Sequence, residues 1–150
     1  MPNIPINETQ IMKKVMVFGT FDGIHDGHLD FFKQARKFGD YLIVVAGRDV
    51  NVKRIKGRLP KNNEKQRLED LKKCQFVDEA RLGYVANPYK VVEEIKPDVI
   101  CLGYDQSSFT NSLVEKLNGM GLTPQIYRLK PYKPKKFHSS ILNRKIICLI

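Results

Sequence analysis

Short apolar runs alternate with segments of helical periodicity along this chain, and no other feature constrains the fold as strongly. An apolar run that stops at a glycine or a turn is typical of a strand that is covered on both faces. Apolar residues spaced three or four positions apart are typical of helices that pack on such a sheet. The predicted strands are 14–19, 41–47, 79–83, 98–103 and 125–129. Their alternation with helices predicts an α/β fold, a parallel sheet with helices on both faces.

The predicted helices lie between these strands, apart from one at the end of the chain. They span 26–38, 62–73, 88–95, 112–121 and 138–150. Gly39 is expected to cap the first helix, and Pro88 to occupy the first position of the third. The basic segment 48–58 is assigned to no strand or helix, and a solvated loop is one of two interpretations of it. Residues 1–12 are polar and are predicted to form a tail, which leaves a single domain over 13–150.

Length and cysteine content are typical of an ordinary globular domain. A chain of 150 residues is long enough to bury a proper core. No apolar run approaches the ~18 residues of a membrane span, and the N-terminus does not resemble a secretory signal. We therefore predict a cytoplasmic protein with no membrane partner. Cys74, Cys101 and Cys148 are too far apart to indicate a zinc site or a disulfide framework.

The net charge of +10 predicts a surface that attracts anions, since 26 lysine and arginine residues face 16 acidic ones. Nucleic acid, anionic lipid and small phosphorylated ligands all suit such a field. The chain shows no RNP-like, zinc-finger or helix-turn-helix pattern, which argues against nucleic acid. We predict no nucleic-acid partner.

The stretch GTFDGIHDGH, residues 19–28, joins the first predicted strand to the first predicted helix and holds two of the three histidines. In a parallel sheet, ligands bind beyond the carboxyl ends of the strands. The glycines let the backbone turn sharply and approach a ligand, and the helix that begins near Asp26 offers free N–H groups to a phosphate. His25 and His28 are three positions apart, so they share one side of this helix start. Their rings are placed to donate hydrogen bonds to a phosphorus centre under attack.

Two other interpretations of the histidine pair stay open. The rings could bind a metal with Asp22 or Asp26 as a third ligand, or they could be ordinary loop residues. The glycine spacing differs from that of zinc-protease helices, P-loops and dinucleotide-binding turns. We favour the phosphate interpretation and predict no metal site on the protein.

The motif Gly19-Thr20-Phe21-Asp22, followed by 25–28 (HDGH), resembles the signature of the cytidylyltransferase-like nucleotidyltransferases. That resemblance implies a Rossmann-like, doubly wound sheet in a single domain. Within this superfamily the chain resembles most the archaeal-type FAD synthases, over about 15–146. The segments that carry this likeness are 44–57 (VVAGRDVNVKRIKG), 91–106 (VVEEIKPDVICLGYDQ) and 137–140 (FHSS). Glycerol-3-phosphate cytidylyltransferases usually carry R-T-x-G-I-S-T before the last helix, where this chain has KPYKPKKFHSS.

The resemblance implies roles for the residues of the motif. The backbones of Thr20 and Phe21 would contact the nucleotide. His25 and His28 would hold the α-phosphate and stabilise the transition state, and Gly27 would permit close approach. The first turn of the helix at Asp26 belongs to the same nucleotide-binding set.

The basic segment 48–58 supplies further candidates. We predict that one lysine binds the β- and γ-phosphates or the phosphate of the acceptor, because negative charge grows there during transfer. Lys56 is the first candidate for this role and Lys53 the second. Solvated surface lysines would be the alternative.

Three more positions complete the predicted site. Asp105 follows an apolar strand, and the resemblance implies that it accepts a hydrogen bond from the base or ribose. Capping of a helix is the alternative role for Asp105. Tyr132 is expected to pack on the adenine. Ser139 and Ser140, at the start of the last predicted helix, suit a β- or γ-phosphate, although either could simply cap that helix.

The resemblance therefore implies a nucleotidyltransferase that moves AMP from ATP to the phosphate of FMN, giving FAD and pyrophosphate. Mg²⁺ is expected to accompany the triphosphate, and the family likeness implies a homodimer. A cytidylyltransferase that acts on glycerol 3-phosphate or another phosphorylated small molecule is the alternative among enzymes. A non-catalytic nucleotide- or nucleic-acid-binding module is the alternative of another class, and it predicts binding without turnover.

Overall fold

The computed structural model describes residues 12–104, 106 and 112–132. In chain order the elements are β1 (Lys14–Gly19), α1 (Asp26–Arg36), β2 (Tyr41–Ala46), α2 (Asp49–Lys56), α3 (Glu64–Lys72), β3 (Glu79–Leu82), α4 (Lys90–Ile95), β4 (Val99–Leu102), α5 (Leu113–Gly119) and β5 (Gln125–Arg128). No helix in these ranges has the length and apolar character needed to cross a membrane. The predicted tail, apart from Met12, and the predicted last helix lie outside the described residues.

The five strands form one sheet in the order β3-β2-β1-β4-β5, and every neighbouring pair is parallel. β1 lies at the centre and pairs with β2 from Lys14 opposite Tyr41 to Gly19 opposite Ala46. The strand order reverses direction on either side of β1. In doubly wound sheets that point opens the crevice in which ligands bind. The predicted single α/β domain of Rossmann-like type is confirmed.

Both faces of the sheet are covered. Side chains of β1 alternate between two apolar clusters, as the pleat of a strand requires. Val15 and Val17 pack in one cluster with residues of α1 and α3. Met16 and Phe18 pack in the other with residues of α4 and α5. Coverage on both sides explains why β1, β2 and β4 are continuous apolar runs.

Gly39 does not cap α1, contrary to the prediction. The helix ends at Arg36, and its C-cap is Lys37 in an ordinary right-handed conformation. Gly39 serves close packing instead, because a Cβ there would lie 2.6 Å from Cγ2 of Val15 and 2.7 Å from the carbonyl oxygen of Lys13. The glycine therefore lets the chain leave α1 directly beside β1.

Two further expectations about helices were wrong. Pro88 precedes the N-cap Tyr89 of α4, so it lies outside the helix and not at its first position. The basic segment 48–58 is no loop, since most of it forms α2, which Gly57 ends at φ 86°. Only Val52 of α2 is buried, so the segment carries almost no apolar periodicity.

Candidate active site

The chain turns sharply between β1 and α1, and Phe21 fills the inside of this turn. Phe21 is fully buried and adopts a left-handed φ of 54°. Its ring lies against Gly19, where a Cβ would come within 2.5 Å of the ring carbon Cζ. The same ring meets the His28 ring edge to face, with centroids 5.4 Å apart. Gly19 and Phe21 therefore fix the place of the histidine that follows.

His25 and His28 cap the N-terminus of α1 reciprocally. His25 is the N-cap residue, and its Nδ1 accepts the Gly27 N–H at 3.0 Å. His28 Nδ1 accepts the N–H of His25 at 3.2 Å. The two rings lie 3.9 Å apart, centroid to centroid, with planes tilted by 32°. These bonds use two of the helix-start N–H groups that were expected to be free for phosphate.

The same contacts decide where the protons of the rings are. A neutral imidazole whose Nδ1 accepts a hydrogen bond carries its proton on Nε2. Burial, together with the smaller effects of the nearby His25 and Lys56, lowers the pKa of His28 to about 3. Burial also lowers the pKa of His25, against a smaller opposing effect of Asp26. Both rings are therefore neutral Nε2–H donors at neutral pH.

Neither donor is used within the described part of the chain. Nε2 of His25 and Nε2 of His28 are both buried and have no hydrogen-bond partner there. A buried N–H without an acceptor costs about 1–3 kcal/mol. Two such groups side by side at a helix N-terminus form a ready site for the oxygens of an anion.

A basic cleft of about 240 Å³ adjoins the motif. Lys56, Arg58 and Lys61 supply its cations, and Asp22 supplies a carboxylate. Burial lowers the pKa of Lys56, with Arg58 and Arg67 acting in the same direction and Asp22 against them. Lys53, on the same helix, is exposed and does not line the cleft.

Asp22 ties one wall of this cleft to the motif. Its carboxylate accepts the N–H of Lys61 at 2.7 Å, the N–H of Asn62 at 2.9 Å and the Asn62 side-chain amide at 2.9 Å. Burial raises the pKa of Asp22, but these donors outweigh it and lower the pKa overall. Its oxygens are thus engaged with the protein. No group of three or more histidine, cysteine or acidic side chains suited to a metal occurs among residues 12–104, 106 and 112–132.

Arg67 is the residue of this region that the sequence analysis missed. Its side chain is fully buried and donates to the carbonyl oxygen of Thr20 at 2.9 Å, to the carbonyl oxygen of Asn62 at 3.0 Å and to Asp49 Oδ1 at 2.6 Å. It thereby joins α3 to the motif and to the start of α2. An arginine in a polar helix gives no local signal of burial.

Asp49 also links the two helices on the basic side. Its N–H donates to Glu64 Oε1 at 2.8 Å, and the Glu64 N–H donates to Asp49 Oδ2 at 3.1 Å. Each carboxylate therefore caps the N-terminus of the other's helix.

On the other side of the motif, a narrow gap separates the start of α1 from the segment that follows β5. Gly27, Asp30, Gly103, Tyr104 and Tyr132 are among its lining residues, and its volume is about 10 Å³. Of the predicted site residues, the fold brings together Thr20, Phe21, Asp26, Gly27, His25, His28, Lys56 and Tyr132 around the start of α1. Asp105, Ser139 and Ser140 lie outside the described residues.

Comparison with known proteins gives consistent results. The family model described as cytidylyltransferase-like matches residues 16–146. An FAD synthase of Thermoplasma volcanium is 40% identical over 93% of this chain and 97% of its own length. An FAD synthase of Ferroglobus placidus is 44% identical over 79% of this chain and 77% of its own length. The crystal structure of a lipopolysaccharide core biosynthesis protein from Thermoplasma volcanium GSS1 superposes with a TM-score of 0.76 at 40% identity, covering 81% of this chain and 98% of that one.

Proposed function

The chain belongs to the cytidylyltransferase-like family, and on that premise we propose that it transfers AMP from ATP to the phosphate of FMN, giving FAD and pyrophosphate. The observation that carries the proposal is the pair of buried Nε2–H donors of His25 and His28, which have no acceptor among the described residues. The FAD synthases with which this chain aligns over most of its length support FMN as the acceptor.

The proposed reaction is one in-line displacement. An oxygen of the FMN phosphate forms a bond to the α-phosphorus of ATP, and the bond from that phosphorus to the bridging oxygen of the β-phosphate breaks. The electron pair of the broken bond leaves with pyrophosphate. A phosphate monoester is largely dianionic at pH 7, with a second pKa of about 6, so the attacking oxygen needs no protein base. The protein supplies position and charge stabilisation.

In the proposal, the Nε2–H groups of His25 and His28 donate to the non-bridging oxygens of the α-phosphate. The negative charge on these oxygens is redistributed in the transition state. Donors that the fold already holds in place stabilise this charge, because they need not move during the reaction. The orientation of each Nε2–H is fixed, because Nδ1 of the same ring accepts a hydrogen bond from the backbone of the helix start. The rings stay neutral, so they donate without giving up a proton.

We further propose that Lys56 faces the leaving pyrophosphate, with Arg58 and Lys61 beside it in the basic cleft. A cation there stabilises the charge that grows as the bond to the α-phosphorus breaks. Mg²⁺ enters in this proposal as part of the substrate, bound by phosphate oxygens and water as Mg²⁺ prefers. The carboxylate that lines this cleft, Asp22, already accepts hydrogen bonds from N–H donors of the protein.

Several predictions from the sequence stay proposals. At the site they are adenine packing by Tyr132, backbone contacts of Thr20 and Phe21 with the nucleotide, and nucleotide contacts of Asp105, Ser139 and Ser140. For the whole protein they are a homodimer, a cytoplasmic location, the absence of a nucleic-acid partner and a polar tail before the domain. Light scattering on the purified protein checks the dimer, and retention on single-stranded DNA at low salt checks the nucleic-acid prediction.

The experiment that tests the proposed function is pyrophosphate release from purified protein with Mg²⁺. ATP and CTP are each crossed with FMN, glycerol 3-phosphate and phosphopantetheine, and products are separated by chromatography. Release with ATP and FMN alone, matched by FAD formation, is the expected result.

Release with CTP and glycerol 3-phosphate would replace the proposed substrates and keep the transfer chemistry. Nucleotide binding without release from any pair, by protein shown to be folded, would favour the non-catalytic module.

A further inference from the structure

The side-chain amide of Gln34 binds the backbone of the segment that leaves the sheet after β5. Its Nε2 donates to the carbonyl oxygen of Lys130 at 2.9 Å, and its Oε1 accepts the Lys130 N–H at 2.9 Å. The second N–H of the amide donates to Asp30 Oδ2 at 2.8 Å, one turn earlier on α1. The donors of this amide are thus fully used. The Gln34 amide thus bonds both backbone groups of Lys130, as the backbone of a neighbouring strand would, although the two residues are 96 positions apart in the sequence.

These bonds hold a segment that lies directly beside the motif. Lys130, Pro131 and Tyr132 line the narrow gap whose opposite wall includes Gly27, between the two motif histidines. A volume of about 10 Å³ is close to the least that a single water molecule needs, so the segment is packed onto α1. Proline at 131 restricts the backbone just after the anchored residue. The bonds of Gln34 to Lys130 are therefore among the contacts that hold this segment, with Tyr132, beside the start of α1.

We infer that Gln34 is a positioning residue for nucleotide binding, which holds the segment 130–132 at the edge of the phosphate site formed by His25 and His28. The inference rests on the proposed function, because it takes the ligand at the start of α1 to be ATP. Gln34 itself touches no reacting atom. It acts by keeping the wall beside the nucleotide in place before the ligand arrives, so its loss raises the cost of binding.

The test compares Gln34→Ala and Gln34→Met with Gln66→Ala. Met keeps the length of the side chain without its polar atoms, which protects the fold. Gln66 is the matched control, because its side-chain amide also donates to an aspartate one turn away, Asp70, at 2.9 Å, but makes no hydrogen bond to a distant backbone group within the described part of the chain. Calorimetry measures the dissociation constant for ATP, and steady-state assays measure kcat and KM for FAD formation.

Both Gln34 variants are expected to weaken ATP binding at least about fivefold, the effect of losing one or two hydrogen bonds, while kcat changes less than about twofold. Gln66→Ala should bind ATP as the unaltered protein does. Hydrogen exchange reports the anchor itself, independently of activity. The Lys130 amide should exchange faster in both Gln34 variants, while the Leu129 amide, bound to the carbonyl oxygen of Leu102 at 2.8 Å, should not.

Unchanged ATP affinity in both Gln34 variants would overturn the inference, as would an equal loss in Gln66→Ala. Loss of Leu129 protection together with that of Lys130 would also overturn it, because it would indicate general loosening. If the unaltered protein binds ATP but makes no FAD, the proposed acceptor fails while the comparison of affinities still decides the role of Gln34. If the unaltered protein does not bind ATP, both proposals fail.

Discussion

His28 is neutral because of where the fold puts it, and this has a consequence for stability. Its pKa falls from 6.5 in the unfolded chain to about 3, chiefly through burial. Between these values the unfolded chain binds a proton that the folded chain does not. The free energy of unfolding therefore decreases as pH falls from about 6.5, by up to about 1.4 kcal/mol per pH unit for this group.

We expect His28→Gln to reduce this pH dependence, because glutamine has no titrating ring. Urea unfolding of both proteins between about pH 7 and about pH 4.5 measures the slopes. The histidine protein should lose stability more steeply on acidification. Equal slopes would show that His28 titrates normally in the folded chain and is not held neutral.

Lys56 and Lys53 form a matched pair, since they lie on one helix and differ in surroundings. Lys56 is half-buried and lines the basic cleft, whereas Lys53 is exposed outside it. Lys56→Ala should lower kcat/KM for ATP about tenfold or more, the size of effect that a charge on a leaving group has. Lys53→Ala should change it less than about twofold. Steady-state kinetics checks both, and a larger loss from Lys53→Ala would reverse the assignment.

At the scale of elements, the strands were predictable and one helix was not. The apolar runs for β1 and β2 end at glycine, so their bounds agree with the structure to within one residue. α2 escaped prediction because Val52 is its one buried residue and its N-terminal cap comes from Glu64 on another helix. A cap that exists only after folding leaves no local pattern. Gly39 shows the opposite error, because a glycine near a helix end predicted a helix cap there. In the structure Gly39 instead allows close contact with β1.

The turn from β1 into α1 depends on the absence of a side chain at Gly19. Gly19→Ala would place a methyl group against the ring of Phe21, which is fully buried and cannot move away. We expect a loss of about 1–3 kcal/mol in the free energy of unfolding, with lower activity because the His28 ring packs on Phe21. Urea unfolding and FAD formation measure the two effects.

Gly119→Ala is the control for this substitution, because Gly119 lies in α5 with nothing within 4 Å of an added Cβ. Because Gly119 is the last residue of the helix, the substitution should leave the free energy of unfolding unchanged or raise it by less than about 1 kcal/mol. A neutral Gly19→Ala would contradict the packing argument for the turn.

Across the whole molecule, Arg67 connects parts that are far apart in sequence. It joins α3 to Thr20 after β1 and to Asp49 at the start of α2. Arg67→Met should lower the free energy of unfolding by about 1.5–3 kcal/mol, because it removes a charged donor from Asp49 and from the carbonyl oxygen of Thr20. In a double-mutant cycle with Asp49→Asn, the loss of unfolding free energy in the double variant should be smaller than the sum of the two single losses by at least about 0.5 kcal/mol. Strict additivity in urea unfolding would show that the pair does not act as a unit.

The parallel sheet and the single-domain organisation were predictable from the sequence, because apolar runs are local patterns. The two histidines were found in the same way, because they lie in a local motif with three glycines. The buried arginine, the reciprocal helix caps and the anchoring of the segment after β5 did not. Each of these joins residues that are distant in sequence, as Gln34 and Lys130 are, and neither partner shows its role alone.

His25→Asn tests whether the Nε2–H groups of His25 and His28 stabilise the transfer of AMP to FMN. Asparagine is among the best N-cap residues, so the free energy of unfolding should stay within about 0.5 kcal/mol of that of the unaltered protein. The Nε2 donor is lost, so kcat for FAD formation should fall about 100-fold. That combination, measured by urea unfolding and by chromatographic detection of FAD, is the predicted result. FAD formation by His25→Asn at the unaltered rate would show that the His25 ring does not stabilise the transfer.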